Sequence, residues 1–204
     1  MEDFWGPLKR RWPGGEPRLH WHILPGGGPA VAELAAAYGE LTARRDLDVV
    51  PTRWLHQTLY MLGSAPGVTA AEADQMIRCV QAAARLWEPM RVTYGPAVIS
   101  AQSVTLRVSP VEPAAQLHGA VLTAAAAVIG DRAPPPPNVP YWGHMTLAYA
   151  NSAIDDGPLL SWLAAHPVEP VTVTVRAIHL VRQSYRDRLF RWAPVAAVPL
   201  GRSQ

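Results

Sequence analysis

The sequence predicts an α+β fold built mainly from antiparallel sheet. Three observations carry this: short runs alternate apolar and polar side chains, longer stretches place apolar residues at helical spacing, and no regular βαβ rhythm calls for a parallel sheet. The chain of 204 residues is long enough for one domain with a substantial core. Its 49% hydrophobic and 17% charged residues exclude a disordered polyelectrolyte, and the apolar runs read as too short and interrupted to cross a bilayer. A single cysteine, Cys79, rules out an internal disulfide framework and a Cys-clustered zinc site. With 18 Lys and Arg against 16 Asp and Glu, the formal charge of +2 is too small to attract nucleic acid in bulk. Any phosphate recognition must be local. The N-terminus lacks the apolar stretch of a signal peptide, so a cytoplasmic location without membrane attachment is expected.

Residues 1–17 read as an extended or flexible arm, because Pro7, Pro13, Pro17 and the Gly14-Gly15 pair interrupt regular structure. Residues 18–204 then form a single domain. Residues 18–24 alternate as a strand, and residues 31–45 place Val31, Leu34, Ala35, Tyr38 and Leu41 on one helical face. Residues 52–62 have the strand period, with Trp54, His56, Thr58 and Tyr60 on one face and Leu55, Gln57, Leu59 and Met61 on the other. Thr69 with Glu72 marks the start of a helix reaching about Trp87, with Cys79 in its buried stripe. Residues 90–94, 97–100 and 103–108 are turn-separated strands of a meander. Pro113 and Gly130 bracket a helix, and the prolines at 134–137 impose an extended loop. Residues 143–150 alternate again. A short helix near 157–165, a strand over 171–184 and a closing segment over 189–200 complete the chain.

One internal repeat stands out. Trp54-Leu55-His56-Gln57-Thr58-Leu59 and Trp142-Gly143-His144-Met145-Thr146-Leu147 share W-x-H-x-T-L. Two chance His-x-Thr-Leu runs among the histidines of such a chain have odds on the order of 1 in 2,000, before the matched tryptophans are counted. Residues two apart on a strand point the same way, so each imidazole lies beside its own threonine hydroxyl. If the two strands face each other, the pair supplies two imidazoles for proton transfer and two hydroxyls for the non-bridging oxygens of one phosphate. An imidazole pKa near 6.5 lets one copy be neutral while the other is protonated.

With these two motifs, HQTL and HMTL, the chain resembles the two-histidine (2H) phosphoesterase superfamily, whose bacterial 2′-5′ RNA ligase and RNA 2′,3′-cyclic phosphodiesterase members carry paired H-x-T/S-x motifs. The resemblance covers residues 18–183. It implies a bilobal fold with pseudo-twofold symmetry, a central cleft holding both motifs, and helices on the outer faces. It further implies a metal-independent, cofactor-free phosphodiesterase that opens 2′,3′-cyclic phosphates of RNA ends or small nucleotides to 2′-phosphates, in some members with 2′-5′ ligation. By motif match, His56 resembles the proton donor to the leaving oxygen and His144 the base that activates water, with Thr58 and Thr146 gripping the phosphate. A monomer without protein partners is expected.

Beyond the motifs, His22, Trp54, Trp142, Tyr185 and Arg182 are candidate substrate contacts. His20 and His22 share a strand face, so one of them can line the cleft. Trp54 and Trp142 can stack a base. Arg182, with Arg186, Arg188, Arg191 and Tyr185, forms a basic-aromatic cluster suited to RNA. Two other readings compete: a non-catalytic RNA or nucleotide binder using the same cleft, and a metallohydrolase built on His20 and His22, which no Asp, Glu or Cys set completes. His118 reads as a residue of a helix surface.

Overall fold

Two antiparallel sheets carry the chain, and each receives one copy of the repeated motif. The computed structural model describes residues 1–25, 28–63, 67–135 and 138–201. The first sheet orders β3 (Gln57–Met61), β1 (Arg18–Ile23), β8 (Ala177–Arg186) and β9 (Leu189–Pro199). The second orders β2 (Leu47–Val49), β6 (His144–Ala150), β5 (Ser103–Ser109), β4 (Met90–Ile99) and β7 (Val171–Val175). Helices α1 (Trp5–Arg11), α2 (Pro29–Ala37), α3 (Gly39–Thr42), α4 (Ala70–Ala84), α5 (Glu112–Ile129) and α6 (Gly157–Ala165) complete the described elements. One continuous core joins both sheets, from Trp21 and Leu180 in the first to Leu106 and Met145 in the second. The fold is α+β, as the sequence predicts.

The helices follow local chemistry. Helix α4 opens with a full capping box in which Thr69 accepts from the Glu72 amide while the Glu72 carboxylate accepts from the Thr69 amide. Its buried stripe is Ala73, Met76, Val80 and Ala84, a progression of three and four residues. Cys79 falls about 100° off that stripe and is exposed, contrary to the expected burial. The stretch Glu112–Arg132, α5 with the 3₁₀ turn that follows it, is long and apolar enough to cross a membrane. Its stripe of Leu117, Val121, Ala125 and Ile129 is nevertheless buried within the fold, against α4 and β3.

Three departures from the sequence expectation matter for the site. Residues 1–17 are not an extended arm: residues 5–11 form α1, and Trp5 and Trp12 are buried against Phe190 with Phe4 and Tyr185 packed around them. Aromatic burial outweighs the breakers, because Pro7 lies in the first turn, where its missing N–H costs nothing, and the glycine pair falls beyond the helix. Asp3 caps the start by accepting from the amides of Trp5 and Gly6. The run over 171–184 is two strands: β7 pairs with β4 in one sheet and β8 with β1 in the other, so the chain changes lobes at Arg176. Conversely, Gly95-Pro96 is a bulge inside one long β4 rather than a turn. The proline run at 134–137 is described only through Pro135.

Both motif strands are bulged at the same place. In β3, Thr58 pairs with His22 and Tyr60 with Trp21, leaving Leu59 as the extra residue. In β6, Thr146 pairs with Thr105 and Ala148 with Val104, leaving Leu147 extra. An extra residue reverses the alternation that follows it.

Candidate active site

The residues ahead of each strand fix the imidazoles. Trp54 ends a 3₁₀ turn at Thr52–Trp54, and its carbonyl accepts from His56 Nδ1 at 2.8 Å. His144 Nδ1 makes the equivalent bond to the carbonyl of Trp142 at 3.2 Å. A carbonyl only accepts, so both rings carry hydrogen on Nδ1 and leave Nε2 as a free base. The two strands approach closely. A side chain on Gly143 would meet Gln57 Nε2 at 3.0 Å and Val108 Cβ at 3.2 Å, which explains glycine at the second copy where the first has Leu55.

His56, Thr58, His144 and Thr146 line one open pocket, together with Val50, Tyr149 and Phe190. Burial pushes the His56 imidazole down to about 4; its bond to Trp54 opposes this, and the neighbouring His144 adds to it. Burial also lowers His144, against the bond to Trp142. Burial pushes the Tyr149 phenol up to about 12, opposed by the neighbouring Thr146, so it remains neutral at the pocket wall. The site brings two imidazoles with free Nε2 and three hydroxyl-bearing side chains to one small pocket.

A family model for the 2′-5′ RNA ligase superfamily matches residues 30–187. This chain belongs to that superfamily. Its fold is similar to TT0787 of Thermus thermophilus, with 21% identity, TM-score 0.67, and coverage of 91% of this chain and 100% of that one. It is also similar to E. coli LigT complexed with NADP+, at 20% identity and TM-score 0.62, covering 92% of this chain and 99% of that one. LigT complexed with 3′-AMP matches at 19% identity and TM-score 0.62, covering 92% and 99%. No curated protein matches. Both motifs fall inside the superfamily segment, whereas α1, β1 and β9, and with them His20, His22 and Phe190, lie outside it.

Of the candidate substrate contacts, Trp142 alone keeps an open ring: it is 51% exposed and stacks on His144 at 4.4 Å. Trp54 instead packs edge-on against Trp192 at 5.4 Å and is not part of the pocket lining. His22 is fully buried behind His56 and reaches no substrate. Tyr185 donates its hydroxyl hydrogen to the Trp12 carbonyl and packs against Trp5 and Phe190, so α1 and its C-cap have absorbed it. Arg182 pairs with Leu19, while its neighbour Val181 pairs with His20, so Arg182 faces away from the histidines. For the alternative metal reading, the His20 and His22 rings meet edge to face at 5.6 Å. Among the described residues no group of three His, Cys, Asp or Glu side chains is placed to hold an ion.

Several residues of this superfamily member escape a motif search. Tyr149 reaches the pocket only because of the Leu147 bulge; strict alternation sends it to the opposite face. Phe190 enters from β9, against Phe4 and Trp5. His118 does not lie on a free helix surface: its Nδ1 donates to the carbonyl of the bulged Leu59 at 2.6 Å, and its ring stacks on Tyr141 at 4.8 Å. The aromatic spacing Phe4, Trp5, Leu8, Trp12 is the signal that could have revealed α1.

Proposed function

We propose that this superfamily member is a metal-independent phosphodiesterase that opens 2′,3′-cyclic phosphates of RNA ends or small nucleotides to 2′-phosphates. The observation that carries the reading is the convergence of two Nδ1–H imidazoles and two threonine hydroxyls on one pocket. His56 Nε2 accepts a proton from water as that water attacks phosphorus. The bond from phosphorus to the 3′ oxygen breaks, and that oxygen takes the proton of His144 Nε2–H, leaving a 2′-phosphate and a 3′-hydroxyl. The two imidazoles thus supply the proton transfers that a metal-bound hydroxide supplies in other hydrolases.

This division of roles is the reverse of the one that the motif match implies. Burial holds His56 down to about 4, which favours the neutral base there. The anionic phosphate, once bound, restores protonation of the second imidazole. Thr58, Thr146 and the neutral Tyr149 phenol donate to the non-bridging oxygens as their charge grows. With the 5′-hydroxyl of a second strand in place of water, the same groups join a 2′-5′ linkage: that hydroxyl gives its proton to His56 as it attacks phosphorus, and the bond to the 3′ oxygen breaks as before. A nucleotide-sized ligand is supported by the complexes of E. coli LigT with ATP and with 3′-AMP.

The test is chromatography of 2′,3′-cyclic AMP incubated with the protein in EDTA. Accumulation of 2′-AMP supports the reading. Tight binding without turnover would instead establish a nucleotide binder, and activity abolished by the chelator would establish a metallohydrolase.

A further inference from the structure

Each motif imidazole has an aromatic ring laid flat against one face, but the two rings come from different places. His144 is covered by Trp142 of its own motif, at 4.4 Å and 24°. The matching Trp54 has turned to Trp192, and the place against His56 is taken by His22 of β1, at 4.2 Å and 12°. We propose that His22 is the positioning residue of His56: its buried ring fixes the plane of the His56 imidazole and seals its inner face from water, so that Nε2 is presented to the pocket in one orientation. This rests on the proposed phosphodiesterase reading for its kinetic consequence and on geometry alone for the rest.

The surroundings of His22 restrict it to this role. It is fully buried, and among the described residues neither ring nitrogen has a hydrogen-bond partner. A proton relay needs nitrogens in line, whereas a flat stack places the two π-faces together and the nitrogens out of reach. Thr58 lies opposite it on β3, and the titratable groups beside it among the described residues are imidazoles: His56 just ahead of β3, His179 directly opposite on β8, and His20 on its own strand. Burial, followed by these neighbours, holds His22 well below the ordinary histidine range, so it is an uncharged aromatic plate. Because β1 lies outside the segment matched by the superfamily model, the support comes from a strand outside that segment.

Three variants test it: His22→Phe, which keeps a flat ring and cannot titrate; His22→Ala, which opens a space that water can enter; and His22→Leu, which fills the space without a flat surface and serves if the alanine variant fails to fold. Two readouts are used: the NMR titration of His56, which needs no activity, and kcat on 2′,3′-cyclic AMP. His22→Phe should leave kcat within about threefold of the parent and leave the His56 titration in place. His22→Ala should raise the His56 midpoint toward 6.5 and lower kcat on the order of tenfold or more, the scale of a misplaced catalytic group. His22→Leu should lower kcat without moving the titration. The inference is overturned if phenylalanine does the same damage as alanine, which would mean the imidazole itself is required, or if alanine or leucine leaves kcat and the titration unchanged. Should the parent turn over no cyclic nucleotide while the His56 titration responds as described, the proposed reaction fails and the positioning role stands.

Discussion

Tyr141 donates its phenolic hydrogen to the backbone carbonyl of Thr58 at 2.9 Å, tying the segment that enters the second motif to the strand of the first. The Tyr141 hydroxyl oxygen in turn accepts from Gln57 Nε2 at 3.0 Å, and Gln57 Oε1 accepts from Tyr94 at 2.9 Å. Gln57 is wholly buried, so the residue between the first His and Thr is spent on joining the lobes. Replacing Tyr141 by Phe strands the buried Gln57 amide, at about 1–3 kcal/mol for the unpaired group, and takes a donor from the Thr58 carbonyl. Urea unfolding should show the lower midpoint, and kcat should fall more than KM rises, because the loss displaces His56 and Thr58 without removing them.

The pH profile follows from the two depressed imidazoles. A base must be neutral, so kcat/KM is lost as pH falls through the His56 pKa, about 4. An acid must be protonated, so activity is lost as pH rises through the His144 pKa, which burial holds below 6.5. Initial rates at low substrate should therefore give a bell centred on the acid side of neutrality. A profile with one pKa, or an alkaline limb above 7, would contradict the assignment.

Leaving-group chemistry separates the acid from the base. In a cyclic substrate whose 3′ bridging oxygen is replaced by sulfur, the departing thiolate has a conjugate-acid pKa near 8.5 and needs little protonation. His144→Ala should recover most of its lost rate on this substrate, while His56→Ala should not. The opposite pattern would restore the roles that the motif match implies.

Acid should destabilise the fold through the same face. Burial holds His20 at about 3 and His56 at about 4 in the folded chain, while both titrate near 6.5 when unfolded. Between those limits the unfolded chain binds more protons, so stability is full above about 6.5 and falls as pH drops toward 3, by up to ~1.4 kcal/mol per unit for each histidine. Urea midpoints measured from pH 7 to 4 should show this decline, and His20→Phe should make it shallower. An unchanged slope in that variant would show that His20 is not held neutral.

The motif was legible because strand geometry makes His-x-Thr a same-face pair, and a repeat of that pair leaves little room for coincidence. The strands and the capped helix α4 were legible from period and from Thr69 and Glu72. What escaped was set by tertiary partners. Tyr149 and the Leu59 and Leu147 bulges depend on which strand lies alongside, and a bulge has no period of its own. Trp54 and Trp142 occupy the same motif position, yet one meets Trp192 and the other solvent. Helix α1 hid behind Pro7 and the glycine pair, because local breakers are visible in sequence and the Phe190 and Tyr149 rings that reward the helix are far away in it.

The claim that both imidazoles act on one phosphate is tested most directly by a double-mutant cycle on 2′,3′-cyclic AMP, comparing the parent with His56→Ala, His144→Ala and the pair. Each single change should cost kcat at least on the order of a hundredfold. The double variant should be little worse than the poorer single one, because the acid and base of one displacement fail together. Fully additive losses, or near-parental activity in either single variant, would contradict it.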